Sequence, residues 1–280
     1  MKIGFIGLGT MGMPMCLNLL AHKIELGVYN KTIEKTQPLV DRGAHPLPSE
    51  QALAQWAEAV IIMVSDDAAV HGVIEKIASE GKIIINMSTI SVDLAQQLSQ
   101  KARDEGFEFI NAPVSGSKKP AEDGQLIILY GGKVELLPRL EKMFKAMGKS
   151  IVNAGTQEDA ARLKLIVNFM MAGFMESVAE SLVLMKKFGM KQDILVETIG
   201  QGAMNCPMVK MKAPLMMANT YEPAAFATKH ILKDLKYLEK EADKHHYGIK
   251  SNIVELYTHC NKMFSDKDLS AIYRMLELGK

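Results

Sequence analysis

The chain has 280 residues, of which 48% are hydrophobic, and a formal net charge of +1 at pH 7. A charge this close to zero argues against bulk electrostatic attraction to nucleic acid or to an anionic membrane. Cys16, Cys206 and Cys260 are far apart and lack the paired spacing of zinc sites, which favours a reducing compartment. We therefore expect a cytoplasmic protein with no secretory leader, whose longest apolar run, residues 165–175, is too short to cross a bilayer.

The first predicted strand, residues 2–6, is followed by a glycine-rich turn and then by a helical pattern. The turn has the form G-x-G-x-x-G and consists of Gly7, Leu8, Gly9, Thr10, Met11 and Gly12. A strand, a glycine turn and a helix in this order indicate a dinucleotide site. In such a site Gly7 allows the tight turn, Gly9 lets a pyrophosphate approach the backbone, and Gly12 lets the helix pack closely on the strand. The helix N-terminus then offers N–H donors to the phosphates.

The second predicted strand, residues 25–29, ends where an NAD site usually carries an acidic residue that holds the ribose 2′-hydroxyl. This chain has Asn30, Lys31 and Thr32 there. A carboxylate would repel a 2′-phosphate, whereas these three side chains can all hydrogen-bond one. The sequence therefore favours NADP(H), with NAD(H) possible. The alternative is an ordinary solvated turn.

Short β-type runs continue to alternate with helical patterns through the first half of the chain. The further predicted strands are residues 60–64, 83–86, 107–111, 126–130 and 150–153. Several are continuous apolar runs, as expected of strands buried on both faces. This alternation predicts a doubly wound, mostly parallel α/β sheet, in which run 126–130 is either antiparallel or an edge strand.

The pattern changes after Gly155. Residues 158–188 contain no proline and only Gly173, and they are apolar around most of the helical circumference, which predicts a long buried helix. The remainder shows helical segments separated by glycine and proline breaks and no strand-like run. We predict three parts: a dinucleotide-binding domain over residues 1–155, an interdomain helix over residues 156–188, and an all-helical substrate or oligomerisation domain over residues 189–280.

Two segments carry the strongest candidates for chemistry. Ser115, Gly116 and Ser117 follow a predicted strand, and the strand ends of an open α/β sheet are where ligands bind. Their hydroxyls and open backbone suit a small carboxylate, although good turn residues alone would explain them. Lys164 and Asn168 are four residues apart and share one face of the predicted long helix. A buried ammonium is costly unless something uses it, so Lys164 either transfers protons or extends its amine to the surface.

Lys233-Asp234 is a third candidate, on a predicted helix after Phe226; the alternative is a solvated helix face. His245 and His246 lack a third ligand nearby in the sequence, so we predict no metal site.

Together these segments resemble the β-hydroxyacid dehydrogenase family over nearly the whole chain. The matching motifs are the cofactor motif at residues 5–15, the substrate loop at residues 113–116, the catalytic helix with Lys164 and Asn168, and the late Lys-Asp motif at Lys233-Asp234. The resemblance implies a Rossmann-type α/β domain joined by a long helix to an all-α domain. Residues 113–129 and 202–208 are most similar to glyoxylate/succinic semialdehyde reductases and γ-hydroxybutyrate dehydrogenases, which favour NADPH.

The resemblance also implies roles for individual residues. Lys164 would donate a proton to the carbonyl oxygen, and Asn168 would orient Lys164 or bind substrate. Ser115 and Gly116 would hold the substrate carboxylate, and Ser117 stands where most other members have glycine. The remaining implied site residues are Thr89 near the nicotinamide, Met63, Val64 and Ser65 beside the cofactor, Lys233 in contact with it, and Phe226 and Asp234 lining the closed site.

Three departures from the family pattern leave the local loop geometry and the substrate range open. The family often has an acid where this chain has Asn111. Glu158 and Ala160 replace glycines on the approach to the catalytic helix, and Tyr130 stands where a small residue is common.

The resulting hypothesis is an enzyme that reduces small aldehyde acids, such as succinic semialdehyde and glyoxylate, with NADPH. One alternative is the same chemistry on 3-hydroxyisobutyrate or tartronate semialdehyde. Two others are an imine reductase, a class that usually lacks a lysine at this position, and a non-catalytic NADP-binding oligomeric scaffold. We expect a small-molecule substrate, no nucleic-acid or membrane partner, and a homodimer or homotetramer.

Overall fold

A computed structural model describes residues 1–249 and 251–279 of the chain. The chain divides into two compact units, unit 1 at Met1–Leu165 and unit 2 at Ile166–Lys280. The division falls inside the long helix Gln157–Lys187. The three-part functional division at residues 155/156 and 188/189 stays a prediction.

Unit 1 is built on a sheet that, over the described residues, has nine strands. They are β1 Ile3–Ile6, β2 Leu26–Tyr29, β3 His45–Pro46, β4 Ala59–Ile62, β5 Ile83–Asn86, β6 Glu108–Asn111, β7 Val114–Ser115, β8 Leu126–Gly131 and β9 Gly148–Gly155. The order is β3-β2-β1-β4-β5-β6-β8-β7, with β9 also paired to β8. The first six strands in this order are parallel, and β1, β4 and β5 are wholly buried, as their continuous apolar sequences predict.

The sequence left open whether the strand at residues 126–130, which is β8 in the structure, is antiparallel or lies at an edge of the sheet. Strand β8 is antiparallel to β6 and β7 and parallel to β9, so it lies inside the sheet and the edge-strand alternative is wrong. The predictions missed β3 and β7, which have two residues each and are too short to show a periodic pattern.

The helices of unit 1 connect these strands. They are α1 Gly12–Ala21, α2 Gln37–Val40, α3 Glu50–Trp56, α4 Asp67–Ile77, α5 Val92–Glu105, α6 Lys118–Glu122 and α7 Leu137–Met147. Helix α1 buries Met15, Cys16 and Leu19 in the core under the sheet. Burial raises the pKa of the Cys16 thiol well above its ordinary value, so this cysteine is a packing residue.

The remaining helices are α8 Gln157–Lys187, α9 Gln192–Gln201, α10 Pro207–Ala218, α11 Thr228–Lys244, α12 Ile253–Phe264 and α13 Ile272–Glu277. Within the described part of unit 2 the β-type pairing is a single isolated bridge, between Ala227 and Asp268. Tyr257 and Tyr273 are fully buried in the apolar core of this unit. The prediction of a Rossmann-type α/β domain followed by a helical domain is confirmed.

Helix α8 is long and apolar enough to cross a membrane by length and composition. The sequence-based expectation considered only the continuous run at residues 165–175, and the whole helix exceeds it. A core helix of a soluble protein has the same properties, so they carry no conclusion about a membrane.

Candidate active site

The glycine turn after β1 has the geometry that a dinucleotide site needs. Gly7 has a φ of 103°, and a Cβ there would lie 2.1 Å from the Met63 carbonyl oxygen. A Cβ on Gly12 would lie 1.9 Å from the Gly7 carbonyl oxygen, so the first turn of α1 packs directly on the glycine turn. A Cβ on Gly9 would meet no protein atom within 4 Å. Gly7 and Gly12 are therefore required by the protein's own packing, whereas Gly9 faces open space where a ligand can approach.

The N-terminus of α1 is suited to a phosphate. No side chain caps it, and its first turn carries no acidic residue. By contrast, Ser49, Asp66 and Ser91 accept backbone N–H bonds at the starts of α3, α4 and α5. A helix start without a side-chain cap presents N–H groups and the positive end of the helix dipole to an anion. Thr10 and Met11 lie in the turn that leads into this end.

Asn30 ties the end of β2 to the glycine turn. Its Oδ1 accepts the backbone N–H of Leu8 at 3.0 Å, and its Nδ2 donates to the Thr32 carbonyl at 2.9 Å. The side chains of Lys31 and Thr32 are exposed next to it. An aspartate could accept from Leu8 but could not donate to the Thr32 carbonyl. Asn30 therefore holds the turn in place and adds no negative charge beside the expected ribose site.

The segment after β4 borders the same turn. Met63 donates its N–H to the Ile6 carbonyl at 2.9 Å, and the Val64 side chain lies near Gly7. The Val64 N–H donates to the Ser88 hydroxyl at 2.9 Å, which connects this segment to the one that carries Thr89. The Ser65 hydroxyl donates to Asp66, the capping residue of α4. The structure thus brings Met63 and Val64 to the glycine turn, and their contact with a cofactor stays a prediction.

Two buried amides and one half-buried amide, which we call the asparagine relay, link two strand ends to the start of α8. They are Asn86, Asn111 and Gln157. Asn86 Nδ2 donates to Asn111 Oδ1 at 2.8 Å, and Asn111 Nδ2 donates to the Gln157 carbonyl at 2.9 Å. Gln157 Nε2 returns a bond to the Phe109 carbonyl at 2.8 Å.

The same Asn86 side chain shapes the loop before Thr89, because it bonds both the N–H and the carbonyl of Ser88. In the sequence, Asn111 stands out only because the family often has an acidic residue at this position. The signal that could have revealed the relay is that Asn86 and Asn111 end adjacent predicted strands, where they are register partners.

The start of α8 is packed tightly against the sheet. A Cβ on Gly131 of β8 would lie 2.2 Å from the Thr156 carbonyl oxygen and 2.7 Å from the Ala160 methyl group. The missing side chain at Gly131 therefore makes room for Ala160, one of the departures from the family pattern. Lys164 follows one turn later and is only 8% exposed. The alternative in which Lys164 extends to the surface is wrong.

The predicted substrate loop begins at the end of β7, which pairs with β8, the strand that carries Gly131. Ser115 ends β7 and pairs with Ile127 of β8. Gly116 has a φ of 131°, which favours glycine, and a Cβ there would lie 2.9 Å from Leu126. Ser117 stands at the N-cap of α6, yet its side chain makes no capping bond. Ser115 and Ser117 are both half-buried.

In unit 2, the late Lys-Asp motif meets the long helix. Asn168 Nδ2 donates to Asp234 Oδ2 at 2.6 Å, although the two residues are 66 positions apart. Lys233 Nζ lies 3.0 Å from Asp234 Oδ1 and 4.9 Å from the centre of the Tyr237 ring. Asp234 is 1% exposed, so the alternative of a solvated Lys-Asp face is wrong for this carboxylate. Asn168 orients Asp234, a contact that sequence analysis did not anticipate.

Phe226 lies before α11 and is half-buried. Its ring is nearly parallel to that of His230, with an interplanar angle of 13° and centroids 6.3 Å apart. Burial, and then the neighbouring Lys233 and Lys229 charges, lower the pKa of His230. This imidazole is therefore neutral near pH 7. Among the described residues, no group of three His, Cys, Asp or Glu side chains could hold a metal ion.

These features define a dinucleotide-binding protein of the Rossmann type with an appended helical domain and a buried lysine. The glycine turn and the uncapped α1 fit the phosphates of such a cofactor, which would be held by the backbone of residues 8–12.

Comparison with known proteins identifies the family. The NAD binding domain of 6-phosphogluconate dehydrogenase matches residues 2–156. The NAD-binding domain of NADP-dependent 3-hydroxyisobutyrate dehydrogenase matches residues 159–276. Glyoxylate/succinic semialdehyde reductase 2, chloroplastic, of Arabidopsis thaliana is 37% identical, with alignment over 100% of this chain and 80% of that protein. Reductase 1 of the same name and organism is 39% identical, over 84% of this chain and 83% of that protein.

Among solved structures, 3-hydroxyisobutyrate dehydrogenase of Mycobacterium tuberculosis with L-serine has a TM-score of 0.87 and 25% identity, over 98% of both chains. The present chain therefore belongs to the β-hydroxyacid dehydrogenase family. It is an NAD(P)-dependent oxidoreductase that acts on CH–OH groups. The predictions of the family, of an enzyme and of NADP(H) as cofactor are confirmed.

Proposed function

We propose that this protein uses NADPH to reduce small aldehyde acids, with succinic semialdehyde and glyoxylate as substrates and Lys164 as the proton donor. The observation that carries this proposal is the burial of Lys164 on α8, about two turns after Gln157, where the asparagine relay fixes the helix to the sheet. The names of the Arabidopsis relatives support the substrate class.

Proton donation by Lys164 follows from the burial of its side chain. When bound, NADPH supplies a hydride to the aldehyde carbon, and negative charge develops on the carbonyl oxygen. Lys164 Nζ holds the proton that neutralises this charge. General acid catalysis of this kind contributes roughly 10²–10⁴-fold. A buried amine acts in a site with little water, where its charge interacts more strongly with an alkoxide than it would in bulk solvent.

The substrate carboxylate needs donors that carry no competing charge. The hydroxyls of Ser115 and Ser117 and the backbone of Gly116 supply such donors. Asp234 would repel an anionic substrate if its charge were uncompensated, but it accepts from Asn168 and is paired with Lys233. In this proposal Phe226 covers the carbon chain of the substrate, and Lys233 and Thr89 contact the cofactor.

Oligomeric state and localisation belong to the same proposal. Met170 of α8 and Phe188, directly after α8, are 75% and 71% exposed, and large exposed apolar residues suit burial against another copy of the chain. We therefore propose a homodimer or homotetramer. The free cysteines Cys16, Cys206 and Cys260 support the proposal of a cytoplasmic location.

The test is a substrate panel followed by loss of NADPH absorbance. Succinic semialdehyde and glyoxylate are compared with tartronate semialdehyde and with oxidation of 3-hydroxyisobutyrate, each with both NADP(H) and NAD(H). We expect the highest kcat/KM for the first two substrates with NADPH. A higher kcat/KM for the 3-hydroxyisobutyrate or tartronate pair would assign the protein to the alternative substrates. NADPH binding without turnover of any aldehyde acid would favour the scaffold alternative.

A further inference from the structure

A buried ion pair in unit 2 lies outside the residues considered so far. Lys212 Nζ of α10 is 2.6 Å from Asp268 Oδ2, and both side chains are buried. Asp268 directly precedes the short 3-10 helix Leu269–Ala271. A charge in a protein interior is strongly destabilising unless it is paired and hydrogen-bonded, so the contacts of Asp268 indicate what it does.

The carboxylate of Asp268 gathers backbone N–H groups from two segments. Its Oδ2 accepts from Ala225 at 3.2 Å and from Phe226 at 3.4 Å, while its Oδ1 accepts from the N–H and the hydroxyl of Ser270 at 3.1 and 2.8 Å. The Phe226 carbonyl accepts the N–H of Leu269 at 2.9 Å. The segment at Asp268 therefore holds the backbone of Phe226 at both its N–H and its carbonyl.

The reason for a charged residue here lies in the loop itself. Residues 222–226 form neither helix nor strand, so their N–H groups lack the partners that regular structure supplies. One carboxylate can accept several such bonds, and Lys212 compensates its charge.

We infer that Asp268, held by Lys212, is a positioning residue that fixes Phe226 for recognition of the substrate's carbon chain. This inference rests on the proposed function for the identity of the substrate. On this inference, the Asp268 carboxylate contributes to substrate specificity through Phe226 without contacting the substrate itself. Removing this anchor weakens aldehyde-acid binding and leaves NADPH binding unchanged. The phosphate-binding turn lies in unit 1, and Lys233, which is proposed to contact the cofactor, is paired with Asp234 and not with Asp268.

The matched control is a second ion pair, which joins α11 to the residues just before Asp268. Lys229 Nζ lies 2.5 Å from Asp266 Oδ1, but both side chains are exposed. Exposed pairs contribute little to stability. The double variant Lys229→Met/Asp266→Asn removes a charge pair of the same type without touching the Phe226 anchor.

The experiment compares Asp268→Asn, Lys212→Met and the double variant Lys212→Met/Asp268→Asn with that control. The single variants each leave an uncompensated buried group and are expected to lose stability, whereas the double variant removes both charges and recovers much of it. In the double variant we expect faster amide exchange in a peptide covering residues 221–227. We also expect the KM for succinic semialdehyde to rise at least about fivefold, equivalent to about 1 kcal/mol, with an unchanged KM for NADPH.

Two results would overturn the inference. One is wild-type amide exchange at residues 221–227 in the folded double variant; the other is an equal rise in both KM values, which would show a merely structural role. If the wild-type protein turns over no aldehyde acid, the proposed function fails, and amide exchange alone then decides whether Asp268 anchors Phe226. Phe226→Ala, which removes only the ring, should raise the KM for succinic semialdehyde without accelerating amide exchange at Ala225.

Discussion

The two units differ in how they use buried polar groups. In unit 1, the relay at the strand ends is made of neutral amides, Asn86, Asn111 and Gln157. In unit 2, the corresponding connections are made by charges, with Asp234 bonded to Asn168 and Asp268 paired with Lys212. Both arrangements join segments that are distant in sequence, but they do so with different electrostatics.

The difference follows from the backbone of each unit. In the sheet, main-chain bonds already join the strands laterally, so side chains need only fix the loops at the strand ends. The amides of the relay do this without adding charge, and the Asp67 carboxylate joins the segments after β4 and β5 by accepting from Ser91. Helices satisfy their backbone bonds internally and offer no lateral bonds to their neighbours. The loops between helices therefore need acceptors from side chains, and carboxylates provide the most.

The largest expected effect comes from Lys164, a buried charge on the helix whose start is held by the neutral relay. We predict that Lys164→Ala lowers kcat at least about a hundredfold because the proton donor is lost, while NADPH still binds. Steady-state kinetics and NADPH fluorescence titration measure the two effects. The control is Lys187→Ala, an exposed lysine at the far end of α8, which should retain wild-type kcat. Near-normal turnover of Lys164→Ala would remove this lysine from the mechanism.

Substitutions at two glycines of the phosphate-binding turn distinguish a role in packing from a role in ligand binding. Gly12→Ala places a methyl group against the Gly7 carbonyl, so we predict that it lowers the free energy of unfolding by about 1–3 kcal/mol and also weakens NADPH binding. Gly9→Ala meets no protein atom, so it should leave the unfolding free energy unchanged and weaken NADPH binding about tenfold or more. Urea unfolding without cofactor, combined with NADPH titration, distinguishes the two. Equal destabilisation by both variants would contradict the assignment.

Introducing a charge at Asn111 tests whether the asparagine relay must be neutral. Asn111→Asp replaces the amide that donates to the Gln157 carbonyl with an acceptor that faces another acceptor. We predict a loss of about 1–3 kcal/mol in the free energy of unfolding, together with a lower kcat, because the start of α8 is no longer held. The control is Asn205→Asp, which removes the same type of bond to the Gly200 carbonyl at an exposed site and should cost much less. Equal losses would mean that the relay does not depend on neutrality.

The smallest expected effect concerns pH and His230. Its pKa is lowered in the folded protein, chiefly by burial and then by Lys233 and Lys229, with Asp234 and Asp266 acting in the opposite direction. The unfolded chain then binds a proton more readily than the folded protein. The contribution of His230 to stability is therefore present above the ordinary histidine pKa of about 6.5 and is lost as the pH falls below it.

We predict that His230→Phe reduces the difference in unfolding free energy between about pH 7.5 and about pH 5.5, which lie on either side of that pKa. Urea unfolding at the two pH values measures this difference. His259→Phe, at an exposed position of α12, should keep the wild-type difference. An unchanged difference in His230→Phe would show that other groups control the acid sensitivity.

Local patterns in the sequence determined the glycine turn, the positions of most of the parallel strands, the long helix and the helical second domain. Each of these is encoded within a few consecutive residues, through apolar periodicity, glycine spacing or the absence of helix breakers. The apolar sequence predicted a helix buried all round, but α8 is buried only in part: Lys164 is 8% exposed, whereas Met170 is 75% exposed.

Tertiary structure alone decided which side chains meet. Asn168 and Asp234 are 66 residues apart and Lys212 and Asp268 are 56 apart, and no periodic pattern links positions at such distances. The sequence likewise showed that Ala160 replaces a glycine of the family pattern. It did not show that Gly131, which lies on another element, makes room for the Ala160 methyl group. Backbone patterns report local conformation, whereas buried polar pairs depend on how separate elements pack. The sequence by itself therefore determined the fold and cofactor class, while the packing of distant elements decided the contacts of Asn111, Asp234 and Asp268.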